Sequence, residues 1–180
     1  PTDVPPLAGP RDQVVDVVVD DLASIEADAV VRPATDTLEP TSAALRQLER
    51  IGGTRFQQQL ETRTPLAVGA AAVTGGGDLP AEFVIHALIR SASDPVSRSG
   101  VQRALMSVLH QAVAWQFHAL AVPPVGIGPG NLPFKDAAEL LCDVLHSHLV
   151  AQAFPSRVQI VVETDEDKTV FDHLLRTRKL

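Results

Sequence analysis

The chain has 180 residues, is 45% hydrophobic and carries a formal net charge of -7. That length fits one domain with a sizeable core. The acidic balance excludes the footprint of a basic nucleic-acid binder, yet leaves room for a small anion held by backbone amides.

Aromatic residues make up 4% and tyrosine is absent, so Val, Leu, Ile and Ala must fill the core. A single cysteine, Cys142, rules out an intramolecular disulfide or a Cys-based zinc site and favours a reducing, cytoplasmic setting. No stretch reaches the roughly 18 apolar residues of a membrane span. The opening "PTDVPPLAGP" lacks the basic start and apolar run of a signal peptide. Its prolines read as an irregular arm over 1–12, ahead of a domain over 13–180, and the absence of an initial Met leaves open whether the chain is part of a longer protein.

The valine-rich run 13–22 predicts a strand, and 28–34 predicts a second one that stops at Pro33. Residues 41–53 predict a helix that ends at glycine, with Thr41 or Ser42 as its cap, and a short second helix over 54–63. The stretch 67–89 splits around "GGGD" into two strands of a hairpin. Residues 99–117 predict a helix with Val101, Leu105, Val108, Leu109 and Ala112 inward. A short buried strand follows over 118–125. Then comes a helix over 133–149 with Ala137, Leu141, Val144 and Leu145 inward. A last strand over 157–163 and a helix over 164–179 close the chain. The acidic start and basic end of that helix suit its dipole. Strands alternating with helices predict an α/β domain, with a mixed, mostly parallel sheet between helical layers.

The stretch "PPVGIGPGNLP" (123–133) joins a buried strand to a helix. In open α/β sheets that edge is where ligands sit. Gly126, Gly128 and Gly130 allow close backbone approach and positive φ. A dinucleotide GxGxxG would need glycine at 131, where Asn131 stands, and a Walker A loop would need Ser or Thr after its lysine. Spacing alone leaves two readings open: a phosphate cradle, or a tight turn with no ligand.

The order of four segments is more specific. "VVVDDL" (17–22), "DAVVRPAT" (28–35), "GAAAVTGGGDLPAEFVIHA" (69–87) and "VPPVGIGPGNLPFKDAAELL" (122–141) come at the spacing of a macro domain. The chain resembles that family over about 13–178. The resemblance implies a three-layer α/β/α fold and a cleft for ADP-ribose or a related NAD-derived nucleotide, free or on an ADP-ribosylated protein. The histidine spacing, acidic charge and short apolar runs predict no metal, nucleic acid or membrane, and no cofactor is expected. Asp21 matches the acid that hydrogen-bonds adenine, with Leu22 beside it. Val125, Gly126, Ile127, Gly128, Pro129, Gly130 and Asn131 match the diphosphate loop. Thr35 falls where the family usually has the Asn that contacts the distal ribose, and Thr164 where many members place a residue against the adenine.

Two departures bear on catalysis. The family's NAAN is "RPAT" (32–35) here, and its glycine-rich first loop has become "LEPTSAAL" (38–45) without the usual Asp. The resemblance therefore favours binding over hydrolysis. ADP-ribosyl hydrolysis, or deacetylation of O-acetyl-ADP-ribose assisted by Asp36 or Glu39, is the alternative. A ligand-free interaction domain is the third reading.

The remaining residues have bland readings beside their sharp ones. Asp21 could instead cap a short helix over 22–26. His86 reads as a packed strand histidine, not a catalytic one. His146 and His148 sit two apart on a helix and point apart. Cys142 reads as a small buried hydrophobe. Thr164 and Asp167 form a capping pair.

Overall fold

The computed structural model describes residues 13–61 and 66–180, without the side chains of residues 43 and 44. The expected arm at 1–12 lies outside the described residues. So do 62 and 63, the last two residues of the expected second helix.

The strands are β1 (Val14–Val19), β2 (Ala29–Thr35), β3 (Ala71–Gly75), β4 (Phe83–Arg90), β5 (Ala119–Val122) and β6 (Arg157–Val162). The helices are α1 (Ala43–Glu61), α2 (Arg98–Ala114), α3 (Phe134–Ala151) and α4 (Asp165–Arg178), with a single 3-10 turn at Leu22–Ser24. The strands form one sheet in the order β1-β6-β5-β2-β4-β3. Every neighbouring pair is parallel except β3 with β4. The sheet is mixed and mostly parallel, as the pattern predicts. The parallel strands therefore end along one common edge.

Alternation along each strand sends side chains to opposite faces. Ala29 and Val31 of β2 join a large cluster with α2, α3 and α4; the predicted inward residues of α2 and α3 are all buried, and all but Ala137 belong to this cluster. Val30 of β2 and Val84 of β4 turn the other way, to Leu48 and Phe56 of α1. The sheet is thus covered on both faces. Each Val, Leu or Ile so buried is worth roughly 1.5–3 kcal/mol relative to exposure.

Two expectations need correction. Pro33 does not stop the second strand: β2 runs on through Thr35, with Pro33 opposite Ala87 of β4. The pairing with β5 covers only Ala29–Leu120 and Val30–Ala121. Beyond Val30 that side is open, so a residue without an N–H is tolerated in mid-sheet. The first strand is also shorter than 13–22. It ends at Val19, because Asp21 turns the chain into the 3-10 helix. Gly53 does break the helix as expected: at φ 77° and ψ -172° it splits α1 into two segments.

Candidate functional site

A cleft of about 330 Å³ opens at the shared C-terminal edge of the parallel strands. Its floor follows the sheet order. Asp20, Asp21 and Leu22 come from the end of β1, and Val161 and Glu163 from β6. Pro123, Pro124, Gly126 and Ile127 follow β5, and Pro33 belongs to β2. Thr41, Ser42, Leu45 and Gln47, at the start of α1, form the opposite wall.

One end is built from carboxylates. Asp20 Oδ1 accepts hydrogen bonds from the backbone N–H of Asp21 and from the Ser24 hydroxyl. Asp21 Oδ1 accepts from the Ala23 N–H at 3.0 Å, which starts the 3-10 turn. The capping reading of Asp21 is therefore realised, and it does not exhaust the side chain. Its Oδ2 accepts from Gln47 Nε2 at 3.0 Å, tying the strand end to α1. An ionised carboxylate has about four acceptor positions, so capacity for a ligand donor remains. Glu163 and Asp167 line the same end.

The other end is the glycine loop. Gly126, Gly128 and Gly130 all have positive φ, at 93°, 125° and 77°. At Gly126 the space is also closed: a Cβ there would lie 2.8 Å from Val101 Cγ2. Val125 is buried beneath the loop. The loop folds on itself through Leu132 N–H to Gly126 O (2.9 Å) and Asn131 N–H to Gly128 O (3.0 Å). The Asn131 amide donates to Ile127 O at 3.1 Å. Among the described hydrogen bonds, the amides of Ile127, Gly128 and Gly130 have no protein acceptor. No side chain caps the following α3 either. Free amides beside positive-φ glycines are backbone donors of the kind that can hold an anion.

The structure thus brings Asp21, Leu22, Gly126 and Ile127 into one cleft. Gly128, Pro129 and Gly130 are exposed further along the loop, and half-buried Asn131 is engaged by its own loop. Thr164 caps α4 by accepting from the Asp167 N–H at 3.1 Å, and its neighbours Glu163 and Asp167, not Thr164, line the cleft. Thr35 does not line it: its Oγ1 accepts from the Glu39 N–H at 3.1 Å and lies 3.2 Å from Thr37 Oγ1. Asp36 and Glu39 lie outside the lining as well.

The sequence assigns no cleft role to Glu163, Asp167 or Gln47, although Asp167 is read as the capping partner of Thr164. Glu163 follows the end of β6 directly, as Asp20 follows β1, and that strand-end position is the signal that finds it. Gln47 carries no local signal, because only the packing of α1 brings it to Asp21.

The other candidates are structural. His86 is buried, with its ring stacked on Phe56 at 5.9 Å. Burial pushes the Cys142 thiol up to about 12, so it is no nucleophile at neutral pH. Among the described residues no group of His, Cys, Asp and Glu is arranged to hold a metal, and no helix is long and apolar enough to cross a membrane.

Known proteins share this fold. The Macro domain family model matches residues 31–141. An uncharacterized protein of Mycobacterium tuberculosis is 30% identical over 128 residues, which is 71% of this chain and 36% of that protein. The chain thus spans about a third of the length of the mycobacterial relatives it matches. A protein of Enterobacter sp. named O-acetyl-ADP-ribose deacetylase is 29% identical over 177 residues, covering 92% of this chain and 96% of that one. A mutant macrodomain of Oceanobacillus iheyensis, solved with ADP-ribose, superposes with a TM-score of 0.83 at 16% identity, over 93% of this chain and 94% of that one. That last likeness is one of fold.

Proposed function

Because the chain belongs to the macro domain family, we propose that its cleft binds ADP-ribose or a closely related NAD-derived nucleotide. The observation that carries the reading is the polarity of the cleft. Carboxylates of Asp20, Asp21, Glu163 and Asp167 stand at one end, and the glycine loop at the other, where Gly126 and Ile127 line the cleft and the Ile127 amide has no described acceptor. Carboxylates accept hydrogen bonds from an amino group or ribose hydroxyls and repel phosphate. Loop amides do the reverse. A nucleotide therefore lies with its base toward Asp21 and Leu22 and its phosphates along Val125–Asn131. Thr164 sits on the base side, at the start of α4.

The Enterobacter relative, similar over nearly its whole length, favours a second reading: removal of an acyl or ADP-ribosyl group. That chemistry needs an acid or base near the distal ribose. Asp36 and Glu39 are the nearest carboxylates in the chain to Thr35, yet neither lines the cleft. Binding without turnover is therefore the main reading.

Isothermal titration with ADP-ribose tests it, and saturable heat accompanied by a rise in Tm is expected. No heat and no thermal shift at millimolar ADP-ribose would sink it. Release of product from O-acetyl-ADP-ribose, lost in Glu39→Ala or Asp36→Ala, would instead favour the second reading.

A further inference from the structure

The base end of the cleft is lined by the carboxylates of Asp20, Asp21, Glu163 and Asp167. A carboxylate can only accept hydrogen bonds. Such a wall suits an amino group. It does not suit a ring nitrogen, whose lone pair it meets with its own. Among the described lining residues, the side-chain N–H donor is the amide of Gln47. Thr41 and Ser42 add hydroxyls earlier on the same wall, just before α1. Gln47 Nε2 stands 3.0 Å from Asp21 Oδ2. Because the carboxylate accepts, the nitrogen of that amide faces Asp21, and not its oxygen. An amide nitrogen carries two N–H groups. One is used on Asp21, and the other has no acceptor among the described hydrogen bonds. Gln47 is exposed and lines the cleft, so this second N–H is open to a ligand. Helix α1 thus sets a donor directly beside the Asp21 acceptor.

We infer that Gln47 is a specificity-determining residue, donating to N7 of the adenine while Asp21 accepts from its amino group. The inference rests on the proposed nucleotide-binding function and names a further residue of the same site. In adenine the amino group is flanked by N1 and N7, and both only accept. An acceptor and a donor one hydrogen-bond length apart match an amino group and the ring nitrogen next to it. N7 belongs to the ring that carries the ribose, so it lies on the side of the base toward the phosphates. Gln47 belongs to α1, the wall that Leu45, Ser42 and Thr41 continue along the cleft. N1 belongs to the outer ring, on the side of the edge strand β1. There the Leu22 N–H has no acceptor among the described hydrogen bonds. Donor, acceptor and donor on the protein then answer acceptor, donor and acceptor on the adenine. A base with a carbonyl in place of the amino group would set an acceptor against the Asp21 carboxylate and fit poorly.

The experiment compares ADP with 7-deaza-ADP, in which a C–H replaces N7 and the shape is kept. Both are titrated into the unaltered protein and into Gln47→Met, with ADP-ribose alongside. The unaltered protein is expected to bind ADP about fivefold more tightly than 7-deaza-ADP, the worth of one neutral hydrogen bond. Gln47→Met keeps a long helix-forming side chain but has no N–H to donate. It is expected to bind the two ligands alike, at the level of 7-deaza-ADP with the unaltered protein. A residue that only braced Asp21 would weaken both ligands equally in the variant and leave the preference for ADP in place. That result would overturn the inference. Equal binding of ADP and 7-deaza-ADP by the unaltered protein would overturn it too, and ADP-ribose binding would then leave the proposed function standing. Binding of none of the three would overturn the proposed function, and this inference with it.

Discussion

Nη1 of Arg32 lies 3.1 Å from Nδ1 of His86, deep between the sheet and α1. A guanidinium can only donate, so Nδ1 accepts and the ring proton sits on Nε2. That nitrogen lies 2.8 Å from Thr74 Oγ1, which takes the proton as acceptor. The ring is thereby fixed as one neutral tautomer linking β2, β4 and β3. Arg32 also pairs with Glu49 of α1 and holds the carbonyl of Leu38. Burial pushes its pKa down, and Glu49 opposes that shift.

Glu49→Ala would leave the Arg32 charge buried without its counter-charge. Breaking such a pair costs about 3–5 kcal/mol. The Glu49 side chain is 24% exposed, so some water already screens it, and a loss of about 3 kcal/mol in urea unfolding is expected. Adding Arg32→Met removes the stranded charge and should recover part of that loss. A double variant less stable than Glu49→Ala alone would show that the hydrogen bonds to His86 and Leu38, and not the charge, dominate.

Gly126 and Gly130 both have positive φ, yet they differ in what surrounds them. A methyl at Gly126 meets Val101 at 2.8 Å, whereas one at Gly130 meets nothing within 4 Å. Backbone strain alone is of order 1 kcal/mol, and overpacking against a buried side chain adds about 1–3 kcal/mol. Gly126→Ala should therefore lower Tm markedly and weaken ADP-ribose binding. Gly130→Ala should lower Tm by a few degrees at most. Equal Tm losses for the two variants would mean that the Val101 contact is relaxed at little cost.

These two regions also show where the sequence is legible. The glycine loop's place could be read because it is local: a buried strand, three alternate glycines and a helix follow one another in the chain, while spacing alone leaves a cradle and a bare turn both open. The Arg32 network could not. Its partners lie 17 residues away at Glu49 and 54 away at His86, and nothing in "RPAT" announces them. The same holds at Pro33, which reads as a strand terminator. Only the parting of β5 from β2 after Val30, a tertiary fact, makes room for it. In the cleft, Asp21 was legible from its place in the family-like segment order, while its strand-end neighbours Asp20 and Glu163 were not. Gln47 and Leu45 depend on where α1 docks, and the hydrophobic pattern of a helix sets its buried face without telling which strand end its first turn will cover.

His148 supplies a pH dependence. Desolvation by burial lowers its pKa below 6.5, and nearby His110 lowers it further, while its hydrogen bond to the Phe154 carbonyl works the other way. The unfolded chain therefore binds a proton more readily than the folded one as pH falls below 6.5. The stabilisation is complete above that value and is lost as pH falls through the lower, folded-state pKa. Tm should decline between about pH 7 and pH 5, and His148→Gln should flatten part of that decline. An unchanged slope in the variant would assign the decline to other groups.

Asp21 offers the sharpest separation of structure from recognition, because its two oxygens do different work. Oδ1 caps the turn at Leu22–Ser24, and Oδ2 faces Gln47 at the cleft wall. Asp21→Ala removes both, and loss of a cap costs about 1 kcal/mol. In a domain of this size that corresponds to a fall in Tm of about 2–4 °C. Asp21→Asn keeps an oxygen for the Ala23 N–H and turns the other position into a donor. Gln47 can meet that donor by rotating its amide, so the folded state loses little. An adenine amino group cannot adapt in this way, since it only donates. Both variants are therefore expected to weaken ADP-ribose binding by about tenfold, the equivalent of one charge-assisted hydrogen bond, whereas Asp21→Ala alone should lower Tm. If Asp21→Asn binds ADP-ribose as tightly as the unaltered protein, the carboxylate does not read the base, and the base end of the cleft must be assigned to Glu163 or Asp167.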